Sequence, residues 1–256
     1  MGPSRRAVGL FAVAILASGI AAADTIVANV DTSLGEYNVM ISIGGTDTNT
    51  YFAGGLDIQL TNSNGTVTRE TMCVDLFVDI YVGQSYGTSV DLPSQVVPPQ
   101  NPALLEEVAW LEDNALLPAL TPGAPSVLPS SDWVQGANAA AMGAGMQIAI
   151  WDIVVDGGDG FSSGTVQQGS AAHPTDPTVL SWAQTYETLA AGQSSDLGFV
   201  YENVSLSNGS PAQTLEGPEF QDSGPHPVAP ESSTFVLAGM ALLALGHAAR
   251  RKLGSR

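Results

Sequence analysis

Cys73 is the only cysteine in this 256-residue chain, and its thiol is the most nucleophilic side chain present. A single cysteine cannot form a disulfide within its own chain. A free cysteine is most often a small buried apolar group, but a thiol with a dedicated acceptor is a reactive nucleophile. The sequence leaves both interpretations open.

The strand pattern around Cys73 predicts where its side chain points. Residues Thr66 to Ile80 are rich in β-branched residues, which is typical of a strand. Successive side chains of a strand point to opposite faces, so Cys73 is predicted to share a face with Asp75, Phe77 and Asp79. We therefore expect Cys73 to point away from the core of its own sheet.

Gln147 is the candidate acceptor, because a carboxamide lies in the middle of a predicted helix. Its face of the helix carries small and apolar residues, and these are Ala140, Gly143, Ala144, Ile150, Trp151 and Val154. A buried amide without a partner costs about 1 to 3 kcal/mol, so Gln147 is expected to have one. The opposite face is also apolar, with Ala141, Ile148 and Val155, so helical spacing alone does not single out Gln147.

Two short motifs resemble those of a known family. Met72-Cys73-Val74-Asp75 and Met146-Gln147-Ile148-Ala149-Ile150-Trp151 are similar to the paired motifs of bacterial thioester domains from surface adhesins. The resemblance covers residues 66 to 156, and Met146 stands where the family motif Thr-Gln-x-Ala-Ile-Trp has threonine. It implies a β-barrel beside a helical lobe and an internal thioester that joins Cys73 to Gln147.

The resemblance implies a covalent latch that each molecule uses once. Such a protein is not an enzyme, and its reaction needs no cofactor. The thiol displaces ammonia from the carboxamide, and an incoming amine or hydroxyl later takes the acyl group and frees the thiol. An intact thioester must be sheltered from water, and Phe77 and Trp151 are the expected apolar cover. Residues 24 to 231 contain no lysine, so no side-chain amine of that segment can consume the bond.

Other polar groups suggest only weak sites. Asp152, Asp156 and Asp159 surround a glycine-rich turn and are weak calcium candidates, since an acidic turn that ends a helix is the commoner interpretation. His173 has no second histidine near it in the predicted domain, which disfavours a hydrolase triad or a zinc site. Glu112-Asp113 is predicted to lie on the water-exposed face of its helix.

The N-terminus has the three-part pattern of a secretory signal peptide. Arg5 and Arg6 precede an apolar run from Ala7 to Ile20, and Ala21-Ala22-Ala23 supplies small residues before Asp24. Residues 1–23 are therefore predicted to be removed on export.

The last 29 residues, 228–256, are typical of a sorting tail. Fifteen mostly apolar residues, Phe235 to Ala249, reach only about 22 Å as a helix, against a hydrocarbon core of about 30 Å. The segment resembles the PEP-CTERM tail that exosortases process, with Ser232 in place of the usual second proline. The resemblance rests on a polar motif before the apolar run and a basic stop after it, and these residues are Pro230, Glu231, Ser232, Thr234, Arg250, Arg251 and Lys252. A retained membrane anchor is the alternative.

The charge of the exported segment excludes two classes of partner. All 25 acidic residues lie between residues 24 and 231, against one basic residue, Arg69, so this segment has a formal charge of −24. Such a charge repels nucleic acid and anionic lipid. We expect no nucleic-acid partner, and contact with a membrane only through the C-terminal tail.

The elements that must position Cys73 and Gln147 predict an α+β fold. Residues 24–97 have strand signals, including a hairpin around Asn64-Gly65, and are expected to form a β-barrel or β-sandwich. Residues 98–192 are expected to form a helical lobe, and residues 193–206 a closing strand. A spacer rich in Gly, Pro and Ser is predicted for residues 207–233. The three predicted helices are Pro102 to Leu117, Asp132 to Val155 and Thr178 to Ala191.

The sequence thus predicts an exported adhesion or matrix protein of the cell surface or extracellular matrix. Its expected partners are an exosortase-type sorting protease and an extracellular polymer or surface protein that supplies an amine or hydroxyl. The alternative is a non-covalent structural or carbohydrate-associated matrix protein in which Cys73 is buried core.

Overall fold

The computed structural model of the protein describes residues 24–30, 37–45, 47–62, 65–96, 100–116, 138–206, 208 and 210–218. The predicted signal peptide, the sorting tail and residues 219–233 of the predicted spacer lie outside these ranges. The described residues form an α+β fold in which a closed six-stranded β-barrel is combined with three α-helices.

Nine strands in the described ranges form two sheets. They are β1 (Asp24–Val30), β2 (Tyr37–Ile43), β3 (Asp47–Ala53), β4 (Leu56–Asn62), β5 (Gly65–Cys73), β6 (Ser85–Asp91), β7 (Val166–Gln168), β8 (Phe199–Leu206) and β9 (Leu215–Gly217). Six of them close into an antiparallel barrel in the order β1-β4-β5-β9-β8-β6. The other three form a separate antiparallel sheet in the order β3-β2-β7.

The barrel follows from the alternation on its strands. On β4, Leu56, Ile58 and Leu60 are buried, Asp57 is half-buried, and Gln59 and Thr61 are exposed. β4 and β5 form the predicted hairpin, and their register pairs Leu56 with Thr71 and Asn62 with Gly65. The buried face of β4 therefore continues onto β5 through directly opposed residues.

The three described helices correspond in order to the predicted ones; the first and third begin within one residue of the predicted start, and the second begins at Ala139, seven residues after the predicted Asp132. They are α1 (Pro102–Leu111), which continues as a π-helix (Glu112–Leu116), α2 (Ala139–Asp156) and α3 (Pro177–Ala190), and a short 3-10 helix (Pro93–Gln95) precedes them. Oδ1 of Asn101 accepts from Ala103 N at 3.1 Å, and Oδ1 of Asp176 accepts from Thr178 N at 2.7 Å. Each cap is followed by a proline, whose missing N–H costs nothing at the first helical position. The three predicted helices are confirmed within the described residues; residues 132–137 of the second lie outside them.

α2 is the central helix of the molecule, and its residues 141–153 are all buried. It packs against α3 and contacts β2, β3, β5 and β7. Of the described helices it alone is long and apolar enough to cross a membrane. Its burial inside the protein accounts for that composition, because a helix that is apolar on all faces belongs in a core.

Two of the predicted boundaries differ from the structure. β9 lies inside the predicted spacer 207–233, where it pairs with β5 and β8 and completes the barrel. β7 lies inside the predicted helical lobe and pairs with β2. Both strands have three residues, too few to show a period of two.

Candidate functional site

Cys73 is the last residue of β5, which ends seven residues earlier than the predicted strand. Oδ1 of Asp75 accepts from Phe77 N at 2.9 Å, a local hydrogen bond that turns the chain out of the strand. The expectation of a continuous strand to Ile80 is therefore wrong. Cys73 lies on the face of Thr71, which is opposite the buried Leu56, so the expectation that it points away from the barrel core is also wrong.

Gln147 of α2 meets the end of β5 with both atoms of its carboxamide. Its Oε1 accepts from Cys73 N at 3.0 Å, and its Nε2 donates to Cys73 O at 2.6 Å. β4 begins at Leu56, opposite Thr71, and does not extend to Cys73. The carboxamide therefore pairs with the backbone of Cys73 as a neighbouring strand would. The structure brings together the two residues that the sequence singles out.

Both residues are shielded from water. Gln147 is 1% exposed and Cys73 is 6% exposed. Burial raises the pKa of the Cys73 thiol, and the negative charge of Asp75 raises it further. The thiol is therefore protonated at physiological pH, which slows its oxidation by external agents.

A pocket of about 250 Å³ opens beside Cys73. Most of its lining is apolar, and the lining residues are Tyr51, Phe52, Leu56, Cys73, Leu76, Val78, Asp79, Ile80, Val82, Trp151 and Gln213. Trp151 packs edge-on against Tyr51 with 6.2 Å between the ring centroids. A small molecule or a side chain that enters this pocket comes into contact with Cys73.

The two expected cover residues have different positions. Trp151 is buried and lines the pocket. Phe77 is 65% exposed and does not belong to the described lining, because the Asp75 turn directs it to the surface. Residues that the sequence did not indicate take its place, among them Tyr51, from the separate sheet, and Leu76.

Gln213 is a further pocket residue that the sequence missed. Its Nε2 donates to the Asp75 backbone oxygen, which ties the segment before β9 to the turn after Cys73. Gln213 lies in the predicted spacer, and its residue type gave no signal for this role. Only the return of the chain into the barrel brings it to the site.

Two further carboxyl groups are buried, and one of them lies on β9, opposite Met72 of β5. Glu112 of the π-helix and Glu216 of β9 are fully buried, and none of their side-chain oxygens has a hydrogen-bond partner in the described residues. Burial raises the pKa of each carboxyl well above its ordinary value. The negative charge of Asp113 raises the pKa of Glu112 further, and the negative charge of Glu112 raises that of Glu216. The expectation that Glu112 faces water is wrong, because the chain continues past α1 into a buried turn.

The remaining predicted site residues divide into two groups. Asp152, Asp156 and Asp159 do lie together, with one carboxylate oxygen of each within 4.8 Å of the others. The residues of the predicted sorting motif, from Pro230 to Lys252, lie outside the described residues.

Comparison of the chain with protein-family models, with curated proteins and with solved structures finds no match.

Proposed function

We propose that the protein is an exported adhesion or matrix protein that attaches covalently to a neighbouring surface through a thioester between Cys73 and Gln147. The observation that carries the proposal is the pair of hydrogen bonds, 3.0 Å and 2.6 Å long, that hold the Gln147 carboxamide against Cys73. Both residues are buried, and Cys73 lines an apolar pocket that opens to solvent. These are the conditions that a sheltered acyl donor requires.

Formation of the bond is a condensation between the two side chains. The Cys73 sulfur attacks the carboxamide carbon of Gln147, the C–N bond breaks, and ammonia leaves with the proton that the thiol gives up. No oxidant or cofactor is needed. The hydrogen bonds to the Cys73 backbone hold the carboxamide beside this residue, and such proximity raises the effective concentration of the two reacting groups.

The second step transfers the acyl group to a target. An amine or hydroxyl that enters the pocket attacks the thioester carbon, a new amide or ester bond forms, and the sulfur of Cys73 recovers a proton. Gln147 is then joined to the target through its side chain. Because the carboxamide is not regenerated, each molecule reacts once, which makes the protein a latch and not an enzyme.

The surroundings of the site favour an external target. Residues 24–231 contain no lysine, so no side-chain amine of this segment competes for the thioester. Tyr51 and Trp151 form part of the apolar wall of the pocket, with 6.2 Å between their ring centroids. The predicted signal peptide and sorting tail would deliver the domain to the cell surface, where extracellular polymers and surface proteins present amines and hydroxyls.

Intact-mass measurement tests the proposal. Freshly purified exported protein is expected to have a mass lower by one ammonia than its sequence requires. Treatment with methylamine is expected to open the thioester and to increase that mass by one methylamine. Cys73→Ser and Gln147→Ala variants are expected to have their full sequence mass before and after methylamine. A full sequence mass and a titratable thiol in the fresh wild-type protein would reject the thioester.

A non-covalent structural role is the second candidate, and the same hydrogen bonds favour it. Gln147 satisfies the backbone N–H and C=O of Cys73, which explains a buried carboxamide without any reaction. In this case Cys73 is a small core residue of an acidic matrix protein. Cys73→Ala would then leave attachment to surfaces unchanged, whereas the latch predicts that attachment is lost.

A further inference from the structure

The indole N–H of Trp151 is a buried donor without an acceptor. Trp151 is 3% exposed, and its Nε1 is buried with no hydrogen-bond partner in the described residues. An indole nitrogen only donates, so it needs an acceptor to be satisfied. Buried donors without partners are rare in folded proteins, because the lost contact with water costs free energy. A group of this kind therefore calls for an explanation.

The position of Trp151 on α2 places its indole beside the Gln147 carboxamide. Trp151 follows Gln147 by one helical turn. Residues four apart share a helix face with about 5 to 6 Å between their Cβ atoms, and long side chains lean towards the N-terminal end of the helix. The indole of Trp151 therefore covers the turn that carries Gln147. Trp151 and Cys73 also line the same pocket, so the indole lies near both partners of the proposed bond.

The carboxamide oxygen of Gln147 already has one donor. Its Oε1 accepts from Cys73 N at 3.0 Å. A carbonyl oxygen has two lone pairs, so this contact leaves room for a second donor. When a nucleophile attacks the carbonyl carbon, the same oxygen takes up a full negative charge and its demand for donors increases.

This negative charge has no positive side chain to stabilise it in the pocket. In the described lining Asp79 is the only charged residue, and its charge has the wrong sign. Neutral N–H groups must therefore stabilise the charge on Oε1. Such donors are most effective in a buried site that excludes water, because the local dielectric constant is low there. The backbone N–H of Cys73 is one such donor, and the indole N–H of Trp151 is a second that is free to act.

The ring of Tyr51 is the alternative acceptor for the indole N–H. The two rings meet edge-on, with 6.2 Å between their centroids and 66° between their planes. A contact between an N–H and an aromatic face is weaker than a hydrogen bond to oxygen. The two contacts differ in a measurable way, because only a hydrogen bond to the acyl oxygen lowers the stretching frequency of that carbonyl.

We propose that Trp151 is a catalytic residue of the latch, whose indole N–H donates to the acyl oxygen of Gln147 together with the backbone N–H of Cys73. This inference rests on the proposed thioester. As the Cys73 sulfur attacks, the C=O electron pair moves to Oε1, where the two N–H groups stabilise the charge. The C=O bond then forms again, the C–N bond breaks, and ammonia leaves with the thiol proton.

The same two donors act when a target opens the thioester. The nitrogen of an incoming amine attacks the carbonyl carbon, and the electron pair moves to the same oxygen. The C=O bond forms again as the C–S bond breaks, and the sulfur takes a proton from the amine. Loss of the indole N–H is therefore expected to slow both formation and opening of the bond.

Time-resolved intact-mass measurement of Trp151→Phe in the full exported chain tests the role of the indole. This variant keeps an aromatic ring but has no N–H. The rates of ammonia loss and of opening by methylamine are each expected to fall about a hundredfold, as when one donor to such an oxygen is removed. Trp182→Phe is the control, because Trp182 lies on α3 against Gly145 and Tyr186, and both rates are expected to stay at the wild-type value.

A second replacement separates the N–H from the packing of the ring. Benzothienylalanine at position 151 fills the volume of the indole and has a sulfur atom in place of the N–H. The infrared difference spectrum between the intact and the methylamine-opened protein reports the thioester carbonyl. Its stretching frequency is expected to rise in both Trp151 replacements and to stay unchanged in Trp182→Phe.

Two results would overturn the proposal, and they differ in what else they reject. Equal rates and an equal carbonyl frequency in the benzothienylalanine protein and the wild type, with the mass deficit present in both, would reject the role of Trp151 and leave the thioester standing. A full sequence mass in the fresh wild-type protein would reject the thioester and this role together.

Discussion

Gln147 occupies the place of a neighbouring strand beside Cys73, since its carboxamide makes hydrogen bonds of 3.0 Å and 2.6 Å to that residue's N–H and C=O. A helix side chain thereby terminates a barrel strand. The contact joins residues 74 positions apart and fixes how α2 docks on the barrel. The stability of the fold and the proposed chemistry both depend on this pair.

Removal of the Gln147 carboxamide is expected to destabilise the domain by about 2 to 6 kcal/mol. Gln147→Ala leaves a donor and an acceptor of Cys73 buried without partners, and each costs about 1 to 3 kcal/mol. The comparison is best made in a Cys73→Ala background, which keeps the backbone groups but cannot form a thioester. Urea unfolding gives the difference in the free energy of unfolding.

Gln184→Ala, on the exposed side of α3, is the control for this measurement. Its free energy of unfolding is expected to stay within about 0.5 kcal/mol of the background. Equal effects at positions 147 and 184 would contradict the role assigned to the buried carboxamide.

Gly145→Ala is expected to destabilise the protein by about 1 to 3 kcal/mol through overpacking. A Cβ atom at this position would lie 2.6 Å from Trp182 Cβ and 2.9 Å from the Val179 carbonyl oxygen. Helix propensity acts in the opposite direction, because alanine is favoured over glycine by about 1 kcal/mol. Ser181→Ala, at an exposed position of α3, is the control. A higher unfolding midpoint in the Gly145→Ala variant than in the wild type would show that α2 and α3 are less closely packed than the structure indicates.

The free energy of unfolding is expected to fall as the pH rises from about 5 to about 9. Burial and the Asp152 carboxyl raise the pKa of Glu187 to about 9, and burial raises that of Glu202 to about 6. Such groups bind more protons in the folded state than in the unfolded state, where they titrate near 4.5. The stability that these groups contribute is therefore complete when the pH is below their pKa in the unfolded protein. It is lost as the pH rises through their pKa in the folded protein.

Urea unfolding at several pH values measures this slope. A free energy of unfolding that rises steadily across this pH range would contradict the direction of these pKa shifts.

Glu216→Gln is expected to stabilise the protein at about pH 8 and to change little at about pH 5. Both side-chain oxygens of Glu216 are buried without partners, and burial raises its pKa well above the ordinary value. The neutral amide of similar shape avoids the ionisation that the carboxyl faces at the higher pH. Asp79→Asn, at an exposed acid, is the control, and a similar gain in that variant would point to net charge as the cause.

The local signals of the sequence were sufficient to place the starts of α1 and α3 within one residue. Asp176 with Pro177 and Asn101 with Pro102 begin their helices because capping and a preset φ act within a few residues. The hairpin of β4 and β5 follows for the same reason, since its two strands are adjacent in the chain. The two motifs around Cys73 and Gln147 also directed attention to the pair that the fold brings into contact.

Tertiary structure alone decided the arrangement of the site. α2 is apolar on every face, so only its docking on β5 determined that Gln147 meets Cys73. The Asp75 turn removed Phe77 from the pocket, and β9 and Gln213 entered the barrel from a segment whose composition predicts a spacer. Such contacts join segments far apart in the chain, and their energy comes from burial and pairing between surfaces that no short stretch of sequence contains.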